Sequence, residues 1–137
     1  MNLDKDAITH AGTELTFFCH GQARDNGWWT DLATGQDMTS NGYPKIQPNK
    51  NVGELLCLVH SENSEAMEGH RKLLMDDKLP SRTMLEVELA DAVIRIFDIA
   101  GGMNLDVAGA IAAKLQYNAH REDHKIANRR DVGGKKF

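Results

Sequence analysis

The sequence predicts an all-α fold. Apolar residues recur at helical spacing in successive segments, and residues that cap or stop helices bracket those segments. No stretch shows the alternation or β-branched enrichment of a strand. A chain of 137 residues suits one domain spanning 1–137. A domain of that size buries roughly two thirds of its unfolded surface, enough for a core without staples.

The elements follow in order. Residues 4–25 form a first helix, with Ile8, Leu15, Phe18 and Cys19 near a 3.6-residue period. Gly12 and Gly21 weaken it, since glycine costs about 1 kcal/mol against alanine inside a helix. Asn26-Gly27 stops it, and Trp28 and Trp29 follow. Residues 30–51 are rich in turn formers (Gly35, Asn41-Gly42, Pro44, Pro48) and predict a long loop, which Trp28, Trp29 and Tyr43 give something to pack with. A second helix covers 53–76, carries Leu55, Leu56, Val59, Ala66 and Met67, and ends at Asp76-Asp77 and Leu79-Pro80. A third covers 82–100, with Ser81 as N-cap, Gly101-Gly102 as stop, and an apolar stripe of Leu85, Leu89, Val93, Ile96, Phe97 and Ala100. Asn104 caps a fourth over 105–122, with Leu105, Ala108, Ile111, Ala112 and Leu115 inward. The tail, 123–137, lacks periodicity and reads as irregular. The expected architecture is a four-helix bundle whose second and third helices form a central antiparallel hairpin.

Composition narrows the function classes. A net charge of −4 argues against a stable nucleic-acid partner, although Arg129, Arg130, Lys135 and Lys136 put positive charge in the tail. Cys19 and Cys57 lie inside apolar helical patterns and are expected as reduced, buried thiols. No apolar run approaches the roughly 20 residues of a membrane span, and the N-terminus lacks a secretory apolar core. These features predict a cytoplasmic protein.

Two stretches carry the chemistry, Glu62-Asn-Ser-Glu65 and Glu88-Leu-Ala-Asp91. Each places two carboxylates one helical turn apart, with Cβ atoms roughly 5–6 Å apart. An antiparallel hairpin brings the two pairs face to face. An acid pair on a helix is commonly solvated surface. Glu88 and Asp91, however, are interleaved with Leu85, Leu89, Ala92 and Val93, where acids are rarely left unpaired. The simplest compensation is a divalent metal, more than one ion per site. Every Glu lacks a His three residues on, which removes the di-iron Glu-x-x-His pattern. An all-carboxylate set is hard and suits Mg²⁺ or Mn²⁺. Mg²⁺ bridges to substrate phosphates, so the acids imply a phosphate-bearing substrate. Glu68 is either an outer member or surface. His60 is either a supporting residue or packed, and His120 with His124 reads as a solvated helix end. Lys114, Asn118 and Arg121, spaced four and three apart, share a helical face. They are either a solvated stripe or cations and an amide for the outer phosphate oxygens.

Glu-x-x-Glu followed by Glu-Leu-Ala-Asp resembles the MazG-type nucleoside triphosphate pyrophosphohydrolases. The run Leu58-Val-His-Ser-Glu-Asn-Ser-Glu-Ala-Met-Glu68 resembles the phage and bacterial MazG-like branch. So do Gly27-Trp28-Trp29, Lys114 with Tyr117-Asn118 and Arg121, and the closing Gly-Gly-Lys, from about His20 to Lys136. The resemblance implies hydrolysis of a (deoxy)nucleoside triphosphate to the monophosphate and pyrophosphate. It implies Mg²⁺ or Mn²⁺ held by the catalytic acids Glu62, Glu65, Glu88 and Asp91, and a homo-oligomer, dimer or tetramer. Lys114, Asn118, Arg121 and Lys135 become phosphate-side residues, and His20, Trp28 and Trp29 become candidates for the base pocket. The tryptophans alternatively pack the loop onto the bundle. A MazZ type within this branch, similar in size, acts on guanine nucleotides, which implies a preference for dGTP or GTP. Many relatives carry a His before the final Gly-Gly-Lys, where this chain has Asp131-Val132, and that departure leaves the tail's role open. Two other classes remain: a non-catalytic helical interaction module with an acidic partner-facing surface, and a nucleic-acid partner held by the basic tail.

Overall fold

The computed structural model describes residues 3–40 and 50–136. The turn-rich stretch 41–49, with Tyr43, Pro44 and Pro48, lies outside them. The described residues form an all-α chain: α1 (Lys5–Asp25), α2 (Val52–Lys72), α3 (Met84–Gly102), α4 (Val107–Ala119), a 3-10 turn (Glu122–His124) and α5 (Ile126–Arg130). Among them β structure is limited to isolated bridges, Thr30 with Asp37 and Met75 with Thr83. None of these helices is long and apolar enough to cross a membrane. The expected irregular tail contains a fifth helix, one turn long, that apolar periodicity is too short to reveal.

The chain divides into two compact units, Glu14–Leu105 and Met1–Thr13 with Asp106–Phe137. In the larger unit α2 and α3 pack as an antiparallel hairpin. At its closed end a Cβ at Gly69 would lie 2.9 Å from Met84 Cβ, so glycine sets the close approach of the two helices. Farther along, Glu62 of α2 meets Arg95 of α3. The core joins Trp29, Ile99 and Met103, with Ala23, Val52, Leu55, Val59 and Leu105 packed around them. Trp29 is 1% exposed. Burying an indole of its size removes about 150–250 Å² from water, roughly 4–6 kcal/mol of transfer free energy at the upper bound.

Several helix ends differ from expectation. α2 stops at Lys72, because Leu73 turns left-handed (φ 55°, ψ 45°) and its N–H closes onto the Gly69 and His70 carbonyls. α3 starts after Thr83, not Ser81. Thr83 and Glu86 form a reciprocal capping box, which satisfies two backbone donors at once. α3 ends at Gly102, two residues beyond the expected last residue Ala100, so Gly101 and Gly102 form its final positions. A methyl group at Gly101 would overlap His20, and one at Gly102 would overlap Trp29. The glycines are there for close approach. α4 starts after Asp106, whose Oδ1 accepts from Gly109 N at 2.8 Å, rather than after Asn104. The α3 stripe is also split. Ala92, Phe97, Ile99 and Ala100 are buried, whereas Leu89, Val93 and Ile96 are 40–47% exposed.

Candidate metal centre

Glu62, Glu65 and Glu88 each bring a carboxylate oxygen to one spot, the three atoms within 4.8 Å of one another. The hairpin achieves this because Glu62 and Glu65 lie one turn apart on α2, and Glu88 faces them from α3. Glu62 and Glu88 are buried and Glu65 is exposed. Asp91, expected as a fourth ligand, is not in the converging trio. Its charge still reaches Glu88, and its side chain borders the adjoining cavity.

The cluster carries one cation of its own. Arg95 Nε donates to Glu62 Oε1 at 2.5 Å, so an arginine answers the acids that local sequence left unanswered. Glu88 has no such partner. Burial pushes its carboxyl up from 4.5 to about 7, helped by a hydrogen bond with Glu62 and by the charges of Glu65, Glu62 and Asp91. A hard divalent ion fits this donor set. Ligand oxygens around an ion at 2.0–2.6 Å lie within roughly 5 Å of one another, and the charge of such an ion would replace a proton on Glu88.

A cavity of about 330 Å³ is bordered by Asp91 and by Arg95, the partner of Glu62, though none of the trio lines it. That volume is at the lower end for small-molecule sites. Trp28, 67% exposed, lines it, together with Lys50, Leu55 and Asp98. Trp29 is not part of its lining as a free face. The indole is buried, and its Nε1 donates to Asp98 Oδ1 at 2.7 Å. His20 Nδ1 bonds the same oxygen at 2.9 Å, and its ring meets Trp29 edge-on with centroids 5.4 Å apart. Cys19 lines the cavity as a thiol whose pKa is pushed up by burial and by the charge of Asp98, which keeps it from acting as a thiolate nucleophile. Cys19 and Cys57 are both free, as expected, but Cys19 is half-buried and Cys57 exposed, so the expected burial is not met.

Lys114, Asn118 and Arg121 belong to the smaller unit. Arg121 lies beyond the end of α4, so the expected single helical face holds only Lys114 and Asn118. Tyr117 gathers the two cations instead, with Lys114 Nζ 4.8 Å and Arg121 Cζ 5.8 Å from its ring centroid. Arg121 also grips Asp123 with two parallel bonds, at 2.9 and 2.5 Å. Lys135 is exposed, and its carbonyl accepts from Arg129 Nε at 3.1 Å. Glu68 is a surface acid, paired with Arg71 at 3.4 Å and Lys72 at 2.5 Å. His60 is exposed, and His120 bonds the Gln116 carbonyl of its own helix.

Asp98 escaped the sequence reading, although a signal existed. Glu88, Asp91, Arg95 and Asp98 are spaced three, four and three apart through the most apolar helix, which places them on one face. Comparison of the chain with protein-family models, with curated proteins and with solved structures returns no match.

Proposed function

We propose that this protein is a metal-dependent nucleoside triphosphate pyrophosphohydrolase of MazG-like type, cutting a (deoxy)nucleoside triphosphate into monophosphate and pyrophosphate, with guanine nucleotides preferred. The observation that supports it best is the meeting of Glu62, Glu65 and Glu88 beside a cavity bordered by Asp91. Two of the three carboxylates are buried, and burial pushes Glu88 up to about 7, which supports a built site over a solvated acid patch.

Glu62, Glu65 and Glu88, with Asp91 nearby, would hold Mg²⁺ or Mn²⁺, which when bound supplies charge neutralisation for phosphate oxygens and lowers the pKa of water. The chain's own residues do the rest. Arg95 holds Glu62 in place through its guanidinium. Glu65, the exposed acid of the trio, is open to accept the proton of an attacking water. Water adds to the α-phosphorus, the bond from it to the bridging oxygen breaks, and pyrophosphate leaves. The cavity takes the nucleoside, with the Trp28 face available for stacking. The exposed Leu89, Val93 and Ile96 on α3 support a homo-oligomer, since a further copy would remove this apolar stripe from water.

Exposed Phe17 and Phe18 on α1, 69% and 64% accessible, favour the second reading, a non-catalytic helical interaction module. A panel of triphosphates with Mg²⁺ and Mn²⁺, products resolved by chromatography, separates the two. Pyrophosphate release supports the enzyme, and an inert panel leaves the module.

A further inference from the structure

The cavity contains a carboxylate that the acid cluster does not use. Asp98 lines it from α3, with its side chain 20% exposed. Asp98 Oδ1 accepts two hydrogen bonds, from Trp29 Nε1 at 2.7 Å and from His20 Nδ1 at 2.9 Å. Those bonds fill the oxygen's two lone pairs. Trp29 is buried and rests against Gly102, and His20 rests against Gly101, so the clamp on Asp98 is itself held by the core. Among the described residues nothing donates to Oδ2. The side chain is fixed by one oxygen, which leaves the other available beside a cavity of mixed polar and apolar lining.

An immobile carboxylate oxygen of this kind selects a base by its donors. Guanine sets its ring N1–H beside its exocyclic N2 amino group, with no acceptor between them. Adenine and cytosine put a ring-nitrogen lone pair next to the amino group. Thymine and uracil flank one N–H with two carbonyl oxygens. Only guanine among these brings two adjacent donors and no repelling lone pair to a single acceptor. Gln22 and Asn26 also line the cavity and carry amide donors suited to the guanine O6. Trp28 supplies an aromatic face.

We infer that Asp98 is the specificity-determining residue of a base subsite in this cavity, reading the N1–H and N2 amino edge of guanine through Oδ2. The inference rests on the triphosphate reading for its substrate class, and its geometry is independent of the metal trio.

The test compares kcat/KM for dGTP, dITP and dATP in wild type and in Asp98→Asn. Deoxyinosine triphosphate is dGTP without the N2 amino group. Wild type should favour dGTP over dITP by roughly tenfold or more, and over dATP by a larger factor. In Asp98→Asn the carbonyl oxygen still serves Trp29, so the amide NH₂ replaces Oδ2 and opposes the guanine donors. The dGTP advantage should then fall at least about tenfold while dATP gains. Equal use of dGTP and dITP by wild type, or an unchanged ratio in folded Asp98→Asn, would overturn the inference. Should the variant fail to fold, the wild-type dGTP-to-dITP ratio decides alone. Should no triphosphate be cleaved, the pyrophosphohydrolase reading fails, and equilibrium binding of dGMP against dIMP in EDTA still judges Asp98. Tighter dGMP binding supports its role, whereas equal affinity or no binding of either removes it.

Discussion

The pair between Arg95 Nε and Glu62 Oε1, 2.5 Å apart, divides the acid cluster into one answered carboxylate and others that repel one another. Glu62 and Glu88 face each other across the hairpin, yet removing their charges should have opposite consequences. Glu62→Gln weakens a charge-assisted bond to a guanidinium that is 41% exposed, so water recovers part of the loss. Glu88→Gln relieves repulsion in a buried group. In EDTA at pH 7.5, Glu62→Gln should melt about 5 °C below wild type and Glu88→Gln at or above it. Mg²⁺ or Mn²⁺ should then stabilise wild type by linkage and Glu88→Gln much less. Scanning calorimetry of three proteins, with and without metal, reads the result. A clear loss of stability in Glu88→Gln without metal would make Glu88 a structural acid and not a ligand.

The same group gives the metal-free protein a pH signature. Glu88 keeps its proton up to about 7 in the folded chain and releases it near 4.5 when unfolded. Between those values the folded state binds more protons, so stability falls as pH rises through the window. Below it both states are protonated and this group contributes no slope. Melting temperature in EDTA should therefore drop by on the order of 5 °C from about pH 5 to pH 7.5, and the drop should vanish in Glu88→Gln. Glu86, held low mainly by hydrogen bonds from Thr83, acts in a separate acid window, where its contribution is lost as pH falls. A flat wild-type profile between pH 5 and 7.5 would contradict the assigned environment of Glu88.

Two glycine substitutions separate packing from flexibility. Gly102→Ala drives a methyl group into the Trp29 ring and should cost about 1–3 kcal/mol, lowering the melting temperature by roughly 5–10 °C. Gly21→Ala, also helical, meets nothing within 4 Å and should be neutral or stabilising by up to about 1 kcal/mol. Thermal melts of both check the pair. Tolerance of Gly102→Ala would mean that Trp29 does not pack against α3 as described.

Apolar periodicity located the four long helices, and acid spacing singled out four acids of which Glu62, Glu65 and Glu88 converge and Asp91 does not, because both signals are local and repeat along the chain. What was lost depends on contacts between distant residues. Leu73 adopts a left-handed conformation that no local rule assigns to leucine. Gly101-Gly102 does mark the end of α3, but only the fold shows that His20 and Trp29 rest on them. Thr83-x-x-Glu86 was a readable capping box that Pro80-Ser81 overshadowed. Arg95 and Asp98 share a helical face with Glu88 and Asp91, but their partners lie on other parts of the chain. Only the hairpin shows that one answers Glu62 and the other anchors Trp29.

The most direct measurement is hydrolysis of dGTP with Mg²⁺ in ¹⁸O-labelled water, with products resolved by chromatography and mass spectrometry. Attack at the α-phosphorus beside Glu62, Glu65 and Glu88 predicts dGMP carrying one labelled oxygen together with unlabelled pyrophosphate. EDTA or Glu65→Gln should reduce turnover at least about a hundredfold. Release of labelled orthophosphate with dGDP, label in the pyrophosphate, or turnover indifferent to EDTA and to Glu65→Gln would contradict the account.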